Sequence, residues 1–385
     1  MQRTFLFRLY PKKHQEASLL RTLHACQRLY NACIEQRQTA WAHHRPVSRY
    51  GQEAQLSELR QTDSEFGEVY SHILQDVVKR VDLAYKAFFR RCRAGETPGY
   101  PRFKSRDRYD SFTYKQPGNG CVRFENGKVW LSKVCDGIRV FQHRPVRGTI
   151  QTVTVMRKAS GWYVAVSCDN VPPDPTLVGG TGEVGVDVGL THFATLSTGE
   201  TIDNPRFLRR AEDGLKQKQR TVSRKRRGSS RRRKAKRALS REWEHLANRR
   251  KDFQFKQARA LVQRFDRIAV ERLDITDMVQ KGHSRGLHRS IADASWRGFL
   301  DALSSKAEEA GSTVVFVEAR GTTRECSVCG QSVPKALWER EHSCSCGTVM
   351  DRDVNAAVNI LNRARTEPPW RERDAVPIEA GSPRL

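Results

Sequence analysis

Two sets of residues in this chain of 385 have the types and spacing to do chemistry: the acids Asp187, Glu271 and Asp353, and the cysteines Cys326, Cys329, Cys344 and Cys346. Asp187 sits in EVGVDVG, where strand alternation puts Val184, Val186 and Val188 on one face and Gly185, Asp187 and Gly189 on the other. The valines make the packed face, and the glycines leave room beside Asp187 for a metal ion and a phosphate. A turn-flanking Asp is the plainer alternative. Glu271 ends the apolar run RIAVE, where a carboxylate is costly to bury without a partner; pairing with Arg267 or Arg272 is the bland reading. Asp353 opens DVNAAVNIL on the helix face of Ala356, Ala357 and Ile360, which brings it to the end of the sheet, although Asp there is also a favoured N-cap. Three carboxylates from two strands and a helix can hold one or two hard divalent ions, Mg²⁺ being the expected one. Two such ions about 3.5–4 Å apart activate a water and stabilise the leaving oxygen of a phosphodiester.

The cysteines form CSVC at 326–329 and CSC at 344–346, separated by 14 residues. Two close thiolate pairs joined by a short loop are what a tetrahedral Zn²⁺ ribbon needs, and four protein ligands leave no open catalytic position, so such zinc is structural. The second pair is C-x-C, not C-x2-C, which leaves His342 open as a replacement ligand. Cys26, Cys33, Cys92, Cys121, Cys135 and Cys168 are scattered and read as reduced, mostly buried small hydrophobes.

Charge points to the partner. The chain carries 69 Lys+Arg against 43 Asp+Glu, a formal net charge of +26, far more than solubility needs and suited to a polyanion. With 38% hydrophobic residues it is not a disordered basic tail. No apolar run reaches the roughly 18 residues of a membrane span, and the start, MQRTFLFRLYPKK, lacks the apolar core of a signal peptide. A cytoplasmic, nucleoid-associated protein is expected, with no membrane partner. Residues 216–237 hold 13 Lys/Arg among 22, too dense for an ordinary helix face. A nuclear-localisation tract would have this composition. The flanking helical pattern favours contact with a nucleic-acid backbone through Arg224, Lys225, Arg226, Arg227, Arg231, Arg232 and Arg233.

The elements that must position these residues follow from periodicity. Residues 3–10 alternate as a strand, 15–41 and 67–94 have helical spacing, and 100–170 holds short alternating runs (KVWLS, IRVFQ, TIQTVTVMRK, GWYVAVSCD) expected to form a small antiparallel barrel or sandwich. DNVPPDPTLVGGTG reads as a linker. Beyond it come the strands EVGVDVG, HFATLS and TGETIDN and one long helical stretch over 205–265. The strand RIAVERL, a looser basic loop, a helix near 293–310, the strand STVVFVEA, the cysteine cluster and a last helix from Asp353 complete the chain. That is β-β-β-α-β-α-β-insert-α, the element order of an RNase H-like fold. The Pro-rich stretch 365–385 reads as a loose tail.

GVDVGL, AVERL, CSVCG, CGTVMDRDVNAAVNIL and YPRFKS together resemble the TnpB (OrfB) proteins of bacterial insertion sequences over nearly the whole chain, and are similar to compact RuvC-type CRISPR effectors. The resemblance implies an RNA-guided DNA endonuclease: a transposon-derived guide RNA, a short motif read beside a double-stranded target DNA, and cutting by a RuvC domain. Base pairing would read the sequence. It makes Asp187, Glu271 and Asp353 the catalytic acids and Asp351 a bystander. The implied fold is multidomain α/β: a wedge β-barrel at 1–14 plus 96–180, a helical recognition lobe at 15–95 inserted in it, and a RuvC-like nuclease domain at 181–364 with a zinc ribbon at 320–350. Gln75, Lys79 and Arg80 lie on a face that could read the adjacent motif. A co-encoded transposase is a further expected partner. A catalytically inactive guided repressor and a strand-transferring transposase are the alternatives.

Overall fold

A computed structural model describes residues 1–366 apart from Cys135, residues 276, 277 and 279–283, and Leu337. Most of the expected tail, part of the basic loop and Cys135 thus lie outside the described residues. The chain divides into two compact units between Pro172 and Pro173, inside the stretch that reads as a linker.

In the first unit, strand β1 (Arg3–Tyr10) buries Phe5, Phe7 and Leu9 and exposes the residues between. Helix α1 (Lys13–Ala42) buries Leu19, Leu23, Cys26, Tyr30 and Cys33 at three- and four-residue steps. It ends where His44 takes a left-handed φ of 54° and Pro46 follows. Three short helices, α2–α4 (Arg49–Ala54, Leu56–Thr62, Ser64–Gly67), lead to α5 (Ser71–Arg93). Six more strands follow: β2 (Ser111–Lys115), β3 (Val122–Glu125), β4 (Lys128–Leu131), β5 (Ile138–Phe141), β6 (Thr149–Lys158) and β7 (Gly161–Asp169). All pair antiparallel in the order β2-β6-β7-β1-β5-β4-β3. The sheet curls: the Tyr114 hydroxyl on edge strand β2 donates to the Ser132 carbonyl, just past β4 near the other edge, at 2.9 Å. Cys26, Cys33, Cys121 and Cys168 are buried as expected of small hydrophobes, whereas Cys92 is exposed.

The second unit is built on a mixed sheet of β8 (Glu183–Val188), β9 (His192–Leu196), β10 (Thr201–Asp203), β11 (Arg267–Glu271) and β12 (Thr313–Val317), ordered β10-β9-β8-β11-β12. β8, β11 and β12 are parallel, and β9 and β10 antiparallel. The connections are helices α6 (Phe207–Ser223), α7 (Ser230–Arg264), α8 (Arg285–Ala294) and α9 (Trp296–Ala310). A hairpin, β13 (Glu341–Ser343) with β14 (Val349–Asp351), precedes the last helix, α10 (Arg352–Thr366). Val184, Val186, Ile268 and Val270 face a core with Leu261, Phe299 and Leu303. The opposite face packs Ala269, Val315 and Val317 against Ile360 and Ala364 of α10.

Three expectations are corrected. The helical stretch over 205–265 is two helices that turn back on each other, broken at 224–229 where Gly228 takes φ 82°. Most of the basic run is helical after all, because the hairpin spreads its charges over two helices and a solvent-facing tip. The stretch read as a looser basic loop holds a helix of its own, α8, which Ser295, with φ 53°, separates from the expected helix near 293–310. Among the described residues no helix is long and apolar enough to cross a membrane.

Candidate active site and metal centre

β8 and β11 run parallel with Val186 beside Val270, so Asp187 and Glu271, the next residues along, project from neighbouring strands toward α10. α10 runs antiparallel to β8. Arg365 near its end donates to Glu183 at 2.7 Å, and the Ala357 carbonyl lies over Gly185. Two residues on from Gly185 is Asp187; one turn back from Ala357 is Asp353. The backbone contact at Gly185 thus sets the height at which the third carboxylate approaches the first.

Gly185 is not the open space its sequence setting suggests. A Cβ there would stand 1.9 Å from the Ala357 carbonyl oxygen, so the missing side chain is replaced by a helix. Gly189 is also closed in, its Cβ position 3.1 Å from the His192 carbonyl.

Burial first, then the Glu271 and Asp353 carboxylates, push the Asp187 carboxyl well above the usual carboxylate range, with Arg352 pulling the other way. Burial likewise raises Glu271, opposed by the Thr322 hydroxyl, which donates to Glu271 Oε1 at 2.5 Å, and by Arg363. The pairing of Glu271 with Arg267 is not formed; Arg267 reaches Glu183 and the Ala364 carbonyl instead. Asp353 lies between Arg352 (3.4 Å) and Arg340 (3.7 Å), and Arg340 also donates to the Thr191 hydroxyl at 3.1 Å.

The capping reading of Asp353 is corrected. Asp351 caps α10, accepting from the backbone N–H groups of Asp353 (2.8 Å) and Val354 (3.1 Å). Asp353 is one position inside the helix, its carboxylate released from that duty.

Four residues of this site escape sequence reasoning. Arg340 and Thr322 carry no local signal. Asn355 and Asn359 do: they are amides one turn apart on an otherwise apolar face. Asn355 bonds Glu325 O (2.8 Å) and Ser327 N (2.9 Å), and Asn359 bonds Thr322 O (2.9 Å) and Glu325 O (2.7 Å). Both are buried, and they fasten the segment bearing Thr322 and Cys326 to the helix bearing Asp353.

The ligand atoms of Cys326, Cys329, Cys344 and Cys346 lie within 4.8 Å of one another. Cys326 Sγ is 3.7 Å from Cys346 Sγ, and Cys329 Sγ is 3.5 Å from Cys344 Sγ. Zinc–sulfur bonds of about 2.3 Å in a tetrahedron require sulfur–sulfur edges of about 3.8 Å, so the thiolates suit such an ion. The C-x-C pair reaches the site with both sulfurs. Among the described residues His342 is not part of this group; it is fully buried, its Nδ1 against Lys335 Nζ. Backbone N–H groups of Cys329 and Val328 help hold the Cys326 thiol at about 5.

Arg224, Lys225, Arg226 and Arg227 form the exposed tip between α6 and α7, and Arg231 and Arg233 are exposed on the first turn of α7. Arg232 differs: its guanidinium donates to the carbonyls of Val222 (3.0 Å) and Lys225 (2.9 Å), closing the hairpin. Gln75 and Lys79 are exposed on α5. Arg80 is instead committed to Asp76 (2.7 Å), Ser111 and Thr113 (2.7 Å) and is not free to read a ligand.

Carboxylates at the ends of adjacent parallel strands, a third on a crossing helix, and a four-thiolate ribbon fastened to that helix fit a multidomain α/β nuclease. The chain belongs to the TnpB (OrfB) family of insertion sequences. A Streptomyces pristinaespiralis protein named "Putative RNA-guided DNA endonuclease" is 35% identical over 370 residues, covering 94% of this chain and 89% of that one. InsQ of Escherichia coli K12, with the same description, is 29% identical, covering 93% and 91%. Family models described as "Probable transposase", "Cas12f1-like, TNB domain" and "Helix-turn-helix domain" match residues 165–282, 296–360 and 1–46. The last of these segments folds here as β1 and the single long helix α1, followed by a short loop. A Cas12f1–sgRNA–target DNA complex shares the fold with a TM-score of 0.56 at 13% identity, covering 90% of this chain and 82% of that one.

Proposed function

We propose that the chain is an RNA-guided DNA endonuclease that hydrolyses phosphodiester bonds with Mg²⁺ held by Asp187, Glu271 and Asp353 in an RNase H-like, RuvC-type site. Among the described residues only the four cysteines have ligand atoms within 4.8 Å of one another. One observation nonetheless carries this reading: Asp187 and Glu271 end adjacent parallel strands, and Glu271 and Asp353 both oppose the ionisation of Asp187. Such a cluster is destabilised without a cation and suits a hard divalent ion. The metal would supply an activated water and neutralise charge at the leaving oxygen. The protein's own part is positional. Gly185 lets α10 approach, Thr322 orients Glu271, and Asp351 takes the helix cap so that Asp353 stays available. The four cysteines would hold a structural Zn²⁺ that shapes the segment leading to Thr322 and Arg340.

The remaining assignments are part of the same reading. The curled sheet of the first unit would be the wedge barrel, with α1–α5 as its inserted recognition lobe. A transposon-derived guide RNA and double-stranded target DNA would be the partners, alongside a co-encoded transposase. Arg224, Lys225, Arg226, Arg227, Arg231 and Arg233 would contact nucleic-acid backbone, with Arg232 holding their turn.

The test measures binding and cutting on the same RNA-loaded preparations, with RNA-free protein as control. Asp187→Ala and Asp353→Ala should bind a matched target and leave it uncut in Mg²⁺. Asp351→Ala should still cut, at a stability cost of about 1 kcal/mol for the lost cap. Cutting that survives Asp187→Ala, or that needs no RNA, overturns the proposal.

A further inference from the structure

The outward face of the first unit's sheet alternates aromatic rings with cations. In antiparallel ladders, residues directly opposite one another share a face. Arg8 of β1 stands between Phe141 of β5 and Tyr163 of β7, and in the next row Tyr10 of β1 is opposite Arg139 of β5. The guanidinium of Arg8 lies 5.4 Å from the Tyr10 ring centroid and 5.9 Å from that of Tyr163; Arg139 lies 5.7 Å from Tyr10, and Lys158 Nζ 5.0 Å from Tyr163. Phe141 is 60% exposed and Tyr10 47%, although Phe5, Phe7 and Leu9 on the same or adjoining strands supply an ample core behind them. Arg8 is held in place by donating to the Ser160 carbonyl at 2.9 Å. Gly161 adjoins it at φ 142°, a backbone conformation that side-chain-bearing residues rarely adopt.

We infer that this face is a stacking platform for unpaired bases of single-stranded RNA. Exposed rings offer flat apolar surface to a base, and the interleaved guanidinium and ammonium groups meet the adjoining phosphates. The second row continues through Lys128 to Glu125 on edge strand β3, so the acid in that row lies at its rim and not among the rings. A duplex hides its base faces in its own stack, whereas a folded RNA keeps loop bases unpaired. The platform therefore fits the RNA the protein carries better than its double-stranded target. The inference rests on the RNA-guided reading above.

The experiment titrates full-length protein, freed of co-purifying RNA, with fluorescent oligouridylate, whose bases do not stack on each other, and with a fully paired RNA duplex. Phe141→Ala should weaken oligouridylate binding roughly 5- to 140-fold, the range for loss of one stacked base. It should leave duplex binding unchanged, and Phe141→Trp should bind as wild type does. The exposed position of Phe141 predicts an unchanged melting temperature, and Phe141→Trp reports on the platform if the alanine variant fails to fold. Unchanged oligouridylate affinity in Phe141→Ala, or an equal loss on the duplex, overturns the platform. Guided cutting at the wild-type rate alongside unchanged oligouridylate affinity overturns the platform alone. Absence of guided cutting by the wild type, alongside the expected loss of oligouridylate binding in Phe141→Ala, overturns the nuclease reading and leaves the platform standing.

Discussion

Replacing Gly185 by alanine adds a single carbon, and the structure states where it must go. The new Cβ would stand 1.9 Å from the Ala357 carbonyl oxygen, 2.9 Å from Leu361 N and 3.0 Å from the Ala357 carbonyl carbon. All three are backbone atoms of α10, so no side chain can swing aside. Ordinary contact begins at 3.4 Å, so strand and helix must part by about 1.5 Å. α10 cannot lift evenly, because Arg365 holds its end to Glu183 and the amides of Asn355 and Asn359 hold it to the ribbon segment. Overpacking of this kind costs about 1–3 kcal/mol, which lowers the melting temperature by roughly 2–12 °C for a unit of about 200 residues. Misplacement of a reacting group by about 1 Å is enough to cost about 100-fold in rate, so cutting should fall at least that far while guided binding and zinc content persist. Melting, metal content, target binding and single-turnover cleavage would be measured on one preparation. Gly214→Ala is the control: nothing lies within 4 Å of its Cβ position on α6, so it should be neutral or stabilising. A Gly185→Ala protein with wild-type melting and wild-type cutting would refute the reasoning.

Three further outcomes are expected. Asp187 has a raised pKa when folded, so it destabilises the fold fully above that pKa; the burden shrinks as pH falls below the folded pKa and is gone below the ordinary carboxylate value. Asp187→Asn should therefore melt above the metal-free wild type at neutral pH, with the gap closing on acidification. Mg²⁺ at a hundredfold over its Kd should stabilise the wild type by about 2.7 kcal/mol and the variant far less; melting curves across pH, with and without Mg²⁺, check both. Purified protein should hold about one zinc per chain, and Cys329→Ser should lose metal and stability together, as metal analysis and melting would report; zinc-free protein that is fully active would contradict this. Arg231→Gln with Arg233→Gln, sparing Arg232, should weaken RNA binding and flatten its log–log salt dependence by up to about 0.7–0.9 per lost phosphate contact. An unchanged slope would make these arginines solvated surface.

Much of the fold was legible wherever one period dominated. β1, β6 and β7 alternate cleanly, and α1 repeats its apolar residues at three- and four-residue steps. β2 went unread because it buries three consecutive positions and so does not alternate, whereas β3, VRFE, was missed although it alternates over four residues, the length of β4 and β5. The break between α6 and α7 was hidden for another reason. Charged residues on both sides of Gly228 erase the apolar stripe by which a turn would be seen to interrupt it, and a carbonyl-capping Arg232 cannot be told from its neighbours by type.

The candidate acids were legible because each stands where an apolar pattern stops: Asp187 and Glu271 at strand ends, Asp353 at a helix start. What could not be read was the division of labour around them. Asp351 and Asp353 are the same residue type two positions apart, yet one accepts the helix's leading N–H groups and the other does not. The capping alternative for Asp353 falls two residues too late because both are good caps, and only the register of β14 against β13 fixes where α10 begins. Gly185 illustrates the same limit: a small residue beside a carboxylate signals closeness without saying whether a ligand or a backbone fills it. Here it is the backbone of α10, and that has a consequence for the ribbon. Asn355 and Asn359 bond the segment that carries Thr322 and leads into Cys326, so the helix that positions Asp353 also anchors the entrance to the four-cysteine site. If the four cysteines hold the proposed zinc, its loss would act on the 322–327 segment from the Cys326 end, against the hold of Asn355 and Asn359. The Thr322 hydroxyl on Glu271 and the Arg340 guanidinium near Asp353 both depend on that segment or on the loop beyond it. The four-cysteine site and the candidate carboxylates are therefore mechanically linked, although they share no residue.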